Sequence, residues 1–380
     1  MRLAPVVAAL LAGACSSAAS APGPAPAAAT PPRTVTLPTP APRLGSPEAR
    51  GAVTRVTIVA AVDDGVATDH PTYARADQRV TLYAAIQIDG KAWFTDAPVL
   101  RIGDKLVTAQ PIAKAPVVEL GWSRIEPAVA NISNGDAQTF HFEPIDYRAT
   151  AIDGSANRAA IVADVRPTLT PDHGNGVGTM RYQVTAVQGD RTVASAGADA
   201  RRGRGSGGVT DAVMRVSIRR DDTYLGYLTE MYGQPYIWGS AGLSDKTHES
   251  ERLEGSDCAD FVVYGARRMG AAIPYTWTGA LPTVSKLLAS GTRGADGIYR
   301  DAKGNPLPFT RIGDLVLFPR HVGVLAEDRG TKGVLDDQDL MMHTLFDSPK
   351  AQPIADSGYA DKPLELRRFT RDLRPDRSRD

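Results

Sequence analysis

The chain has 380 residues, with 43 basic and 43 acidic side chains, six histidines and two cysteines, so its formal net charge is zero. A hydrophobic content of 42% and a charged content of 23% suit a folded body of two domains and exclude wholesale disorder or a multi-span membrane protein. The charge balance leaves no general footprint for nucleic acid, and Arg201, Arg202 and Arg204 fall in a glycine-rich stretch read as a solvated loop, so no nucleic-acid partner is expected.

Arg2 and the twelve apolar residues 3–14 read as an export signal, since a bilayer-spanning helix needs about twenty. The stretch ends Leu11-Ala12-Gly13-Ala14-Cys15, which resembles a bacterial lipobox. That likeness implies a signal peptide over 1–14, lipidation of Cys15, a membrane anchor and, from Ser16, sorting to the outer membrane facing the periplasm. An ordinary signal peptide with an incidental Cys15 is the alternative. Residues 15–50 form a tether: nine prolines among Ala, Ser and Thr leave little apolar bulk to bury, and the segment reaches up to roughly 100 Å.

From Ala52 the pattern turns to period two. Val80, Leu82, Ala84, Ile86 and Ile88 line one strand face before an Asp89-Gly90 turn, with a hairpin returning through Trp93. Similar alternation at Met180, Tyr182, Val184 and Ala186, and at Met214, Val216 and Ile218, predicts a mostly β, sandwich-like domain over 52–219. His70, His141 and His173 are scattered through it without metal-ligand spacing and read as ordinary surface or core residues.

After Arg220 the period changes. Asp221-Asp222 can cap a helix carrying Tyr224, Leu225 and Leu228 that Gly233 ends. A second helix starts at Ser256 or Asp257, presents Phe261, Val262, Ala266 and Met269, and stops at Gly270. Strands are expected over 314–318, 322–326 and 340–345. A helix pair against a small antiparallel sheet is an α+β domain, placed over 220–372 and followed by a charged tail over 373–380. The alternating Arg and Asp from Arg367 onward read as a frayed end.

Cys258 is the one cysteine of the body and falls in the first turn of the second predicted helix, where unpaired N–H groups and the macrodipole favour thiolate. A buried, inert cysteine is the structural alternative. His321 opens a strand-like run, Val322-Gly323-Val324-Leu325, and a neutral imidazole there can take a proton from a facing thiol. If the next strand pairs with it, His343 can orient that imidazole as a third triad member. His248 reads as a loop residue. Asp336, Asp337 and Asp339 lack the glycine and terminal glutamate of a calcium loop and read as a solvated hairpin turn.

Four ordered motifs carry a family resemblance: Pro235-Tyr236-Ile237-Trp238-Gly239, Gly255-Ser256-Asp257-Cys258, Gly313-Asp314-Leu315-Val316-Leu317-Phe318 and His321-Val322-Gly323-Val324. In this order they resemble the NlpC family of cell-wall cysteine peptidases. The likeness covers about 222–350 and implies a papain-like α+β catalytic domain with Cys258 as nucleophile, His321 as general base and His343 as its orienting partner. Tyr236 would help shape the oxyanion site and Asp257 would help bind the substrate's free amine. It further implies hydrolysis of peptidoglycan stem peptides, of the D-γ-glutamyl-diamino acid type, with no metal or organic cofactor.

The chain departs from the family pattern at Ser240, which follows Trp238-Gly239 where a second glycine is usual, and at Ala259-Asp260, where Ser-Gly is usual. Asp260, in the first helical turn, opposes the field that favours thiolate or contacts a cationic substrate group. Residues 241–254 form an insertion that reshapes the groove. The expected activity is that of an exported, lipid-anchored cysteine endopeptidase. An amidase or acyltransferase on the same fold, or a non-enzymatic peptidoglycan-binding lipoprotein, are the alternatives, and the sequence sets no oligomeric state.

Overall fold

Alternation over residues 80–88 predicts one buried face, and the structure buries both. The structure, a computed structural model, describes residues 42–134, 144–203, 207–371 and 373. The expected signal peptide, Cys15, His141, Arg204 and the tail beyond 373 lie outside the described residues. In the strand Val80–Ile88, Val80, Leu82, Ala84, Ile86 and Ile88 point into the main core, while Tyr83 and Ala85 join Val59, Ala61, Trp93 and Leu100 in a second one. The second core exists because the chain after the Asp89-Gly90 turn, with both residues at positive φ, folds back as Ala92–Phe94 and continues through Leu100–Ile102.

Two sheets make up this half of the body. One runs Lys105–Val107, Leu100–Ile102, Ala67–Thr68, Val53–Val62, Val80–Ile88, Ala92–Phe94 and Ala109–Gln110, with Ala160–Val162 also on Val80–Ile88. The other runs Tyr147–Ala151, Glu119–Pro127, Gly178–Gln188, Met214–Arg219 and Thr72–Arg75, with Arg191–Ala194 on Gly178–Gln188. Their shared core packs Ile58, Leu82 and Ile86 against Trp122, Met180 and Tyr182. The polar ends of the two large rings are satisfied: Trp122 Nε1 donates to the Arg158 carbonyl at 2.9 Å and the Tyr182 hydroxyl to that of Asp164 at 2.8 Å. The expected tether runs past this body only in part, because Leu44 exchanges backbone hydrogen bonds with Val118 and Ser46 N donates to Ala115 O at 2.7 Å.

The third sheet carries the two candidate histidines, His321 and His343. Its order is Tyr299–Arg300, Ser285–Arg293, Leu364–Phe369, Leu315–Phe318, His321–Glu327, Leu340–His343 and Lys350–Pro353. One face packs Leu315, Leu317, Val322, Val324 and Met342 on the helix Cys258–Arg268; the other packs Val316, Phe318, Leu325, Met341 and Leu366 against Tyr299, Leu307 and Ile354. The helix sits against Tyr224–Leu228 at a close approach, since a Cβ on Gly265 would lie 2.6 Å from Leu228 Cδ2. Residues from Ala41 onward form one compact unit.

The papain-like α+β expectation, with its sandwich-like partner, is overturned. The protein is mostly β, 40% strand and 11% helix, with barrel-like and half-barrel sheets and no helical subdomain among the described residues. The first expected helix is only the five residues Tyr224–Leu228, capped by Thr223 rather than Asp221 or Asp222, and it passes directly into the 3-10 turn Thr229–Met231. Strands replace what was left as connection or tail. Ser285–Arg293 shows no apolar alternation, with Lys286 and Leu287 exposed, and forms because Leu364–Phe369 pairs with it in register. Arg367 and Arg368, expected in a frayed end, lie on that second strand, where Arg368 makes a bidentate pair with buried Asp314 at 2.6 and 2.7 Å.

Candidate active site

Asp257, one of the two caps the sequence offers, starts the helix that Cys258 opens. Its carboxylate accepts from the backbone N–H groups of Ala259 and Asp260, both at 2.9 Å, and Cys258 is the first helical residue. Tyr236 reaches this helix start because residues 235–237 run beside 255–256: Ile237 N donates to Ser256 O at 2.9 Å. That approach requires Gly255, at φ +146°, where a Cβ would lie 2.6 Å from the Pro235 carbonyl. The strand Tyr236–Trp238 is itself held in parallel register by Asn131–Ser133, which comes from the β body.

The strands His321–Glu327 and Leu340–His343 pair antiparallel, so the two expected histidines become neighbours. His321 Nε2 and His343 Nδ1 are 2.8 Å apart, and His321 Nδ1 and His343 Nε2 have no hydrogen-bond partner among the described residues. Both rings are buried, and Tyr359 and Phe318 stack along His321 with centroids at 4.8 and 6.2 Å. The helix packs on the His321 strand, and the backbone of Val322, the next residue, acts on the Cys258 thiol in favour of the thiolate. Tyr236 and Asp257 therefore lie beside Cys258, and His343 beside His321, on a helix and a strand that pack together.

Electrostatics differ from the expectation drawn from the helix start. Burial, followed by the charges of Asp257 and Asp260, pushes the thiol above its ordinary value, although the Val322 backbone hydrogen bond favours the thiolate. Burial and then His343 push His321 well below 6.5, and burial with Lys350 brings His343 down to about 4 against the opposing effect of Asp347. These shifts favour the neutral forms of the thiol and of both imidazoles. Burial, with Asp260 next, raises the Asp257 carboxyl well above the carboxylate range. Burial likewise raises the Tyr236 phenol, with Cys258 and Asp257 adding to it.

The departures at 240, 241–254 and 260 form one unit. Ser240 Oγ donates to Asp260 Oδ2 at 2.6 Å and accepts from Asp257 N at 2.9 Å. His248, on the insertion, places Nε2 3.3 Å from the same Asp260 oxygen, while its Nδ1 accepts from Ser250 N at 3.2 Å and its ring stacks on Tyr275 at 3.9 Å. His248 is a loop residue as expected, but a buried one whose contact with Asp260 only the fold creates. Ser240, Asp245, His248, Asp257, Asp260 and exposed Trp277 line a cavity of about 470 Å³ beside the helix start.

Behind it, Glu249 is buried beside Glu254, and burial with that second carboxylate raises its pKa to about 8. The unfolded carboxyl ionises near 4.5. Between those values the folded state keeps a proton that the unfolded state releases, so stability falls as pH rises through the window, by about 1.4 kcal/mol per unit at most. Glu249→Gln is expected to flatten the decline between pH 5 and 8, read by urea unfolding at several pH values; an unchanged slope would contradict the assignment.

Asp336, Asp337 and Asp339, expected in a solvated turn, are buried and bonded: Asp336 accepts from Thr331 N at 2.7 Å, Asp339 from Arg329 N at 2.7 Å, and Asp337 from Arg293 at 2.8 Å. They brace the hairpin that carries the two histidines. No group of three metal-ligating side chains occurs among the described residues, nor does a helix long and apolar enough to cross a membrane. No model of a known family matches the chain, and neither the curated proteins nor the solved structures provide a match.

Proposed function

We propose that this protein is a cysteine endopeptidase acting on peptidoglycan stem peptides, at bonds of the D-γ-glutamyl-diamino acid type. The observation that carries the reading is the 2.8 Å contact between His321 Nε2 and His343 Nδ1 on strands facing the helix that opens with Cys258. Export, and anchoring through a lipidated Cys15 in the outer membrane, belong to the same proposal and rest on the first fifteen residues.

The base role requires the His321 tautomer in which Nε2–H donates to His343 Nδ1 and Nδ1 keeps its lone pair. As Cys258 Sγ attacks the peptide carbonyl carbon, its proton passes to His321 Nδ1, and the bond to His343 stabilises the imidazolium. The tetrahedral oxyanion forms beside Tyr236 and the helix N-terminus, whose N–H groups stabilise negative charge. Collapse breaks the C–N bond, the leaving amine takes the proton from His321, and a thioester remains. Water attacks the thioester with His321 again as base, releasing the carboxylate and the thiol. Because burial favours the neutral forms, the charges develop during attack.

The test is mass spectrometry of purified peptidoglycan treated with the protein, with Cys258→Ala as control. Stem-peptide fragments ending in a new carboxylate, formed only with the intact thiol, are the expected result. Products joined to an added amine would assign an acyltransferase. Equal binding by both proteins with no release would assign a wall-binding protein.

A further inference from the structure

The residue after the His343 strand that the triad does not explain is Phe346. It is 65% exposed, adopts φ +53°, and sets its ring 5.4 Å from that of Tyr236 in an edge contact. A bulky residue in the left-handed region is strained unless its surroundings hold it there. The hold is next to it. Asp347 Oδ1 accepts from Ser348 N at 2.8 Å, Thr344 Oγ1 donates to the Asp347 carbonyl at 2.8 Å, and Lys350 Nζ donates to Asp347 Oδ2 at 3.0 Å. The remaining partner of Oδ2 comes from far away in the chain: His173 Nε2, at 2.9 Å.

His173 lies in the β body, between the strands Ala160–Val162 and Gly178–Gln188. We propose that His173 is a positioning residue: through Asp347 it fixes the loop between His343 and Lys350, and so holds His343 against His321 and Phe346 against Tyr236. The inference rests on the peptidase reading and gives the β body a part in it. His343 pairs with Lys350 across the strands, so the loop clamped by Asp347 is the direct continuation of the orienting histidine. The charged and titratable groups acting on His343 are its neighbour His321 and, from this loop, Lys350 and Asp347; those acting on Asp347 are Lys350 and His173. Side chains one bond removed from the reacting groups set their geometry, and a displacement near 1 Å costs up to about 100-fold in rate.

The test uses the full chain with His173→Ala, Asp347→Ala, the double variant and His173→Gln, whose amide N–H can take the place of Nε2–H. Peptidoglycan turnover is expected to lose about 10- to 100-fold in kcat in either alanine variant, with KM changed less than about threefold. The double variant should be no worse than the single ones, and His173→Gln should recover most of the rate. Wild-type kcat in His173→Ala, or losses that multiply in the double variant, would overturn the proposal. If His173→Ala does not fold, His173→Gln and Asp347→Asn carry the test, expected near wild type and impaired respectively; equal rates in the two overturn it. A wild-type protein that releases no fragment fails the peptidase reading by itself. The positioning role is then read from the rate of Cys258 alkylation by iodoacetamide, which must change in both alanine variants and no further in the double one; an unchanged rate in His173→Ala overturns it.

Discussion

Replacing His321 by glutamine is expected to lower kcat on peptidoglycan by about 10²- to 10⁴-fold, the contribution of a positioned general base. Burial favours the neutral form of both groups, raising the thiol and lowering the imidazole. Attack therefore depends on an acceptor for the thiol proton, and a glutamine can keep the contact with His343 but cannot accept that proton. His343→Ala should cost less, since it removes an orienting partner and leaves the acceptor in place. The pH profile follows from the sign of the shift. His321 must be unprotonated to act, and its pKa lies well below 6.5, so the acid limb of wild-type kcat/KM is expected below pH 6.5. A limb at or above 6.5, or a His321→Gln protein with near wild-type turnover and unchanged unfolding, would rule out the base role.

The second large effect is on stability. Glu230→Ala is expected to cost about 3–5 kcal/mol, as removal of one partner from a buried ion pair does. Glu230 is fully buried and accepts from Arg268 Nε at 2.9 Å and Nη2 at 3.0 Å, with Arg219 Nη1 at 3.5 Å and the Tyr264 hydroxyl also on its carboxylate. The arginines stack on aromatic rings from both halves of the body: Arg268 lies over Tyr73 at 4.6 Å and Tyr227 at 4.9 Å, and Arg219 over Tyr227 at 4.8 Å. Tyr73 and Arg219 belong to the second sheet, whereas Arg268 ends the helix that Cys258 begins. Removing the carboxylate takes away the charge that Arg268 and Arg219 share across this junction, while Arg219 keeps Asp222 at 2.8 Å. Urea unfolding at pH 7 measures the loss; a change below about 1 kcal/mol would show that the junction tolerates the missing charge.

Local signals carried the sequence reading where short-range physics decides structure. The Asp257 cap, the Gly270 stop, the turn at Asp89-Gly90 and the alternating faces of Val80–Ile88 and Gly178–Gln188 all depend on a few neighbouring residues, and each is legible there. The order of the motifs likewise pointed to Cys258, His321 and His343. Where the sequence reading failed, the cause was non-local. Ser285–Arg293 and Leu364–Phe369 have weak patterns of their own and become strands only by pairing over a long separation. The papain-like α+β expectation fell with them, because a motif order and two helical periods carry no information on strands that pair over such separations.

Composition and most of the caps and turns follow from the sequence by itself, because each is set by residue chemistry or by spacing within one element. The tertiary structure alone decided the direction in which the thiol and imidazoles shift, since burial favours their neutral forms. It also decided that Asp336, Asp337 and Asp339 brace a hairpin, that His248 meets Asp260 and that His173 meets Asp347. A side chain's charge state and its distant partner depend on what the whole fold packs around it, and neither periodicity nor spacing along the chain carries that information.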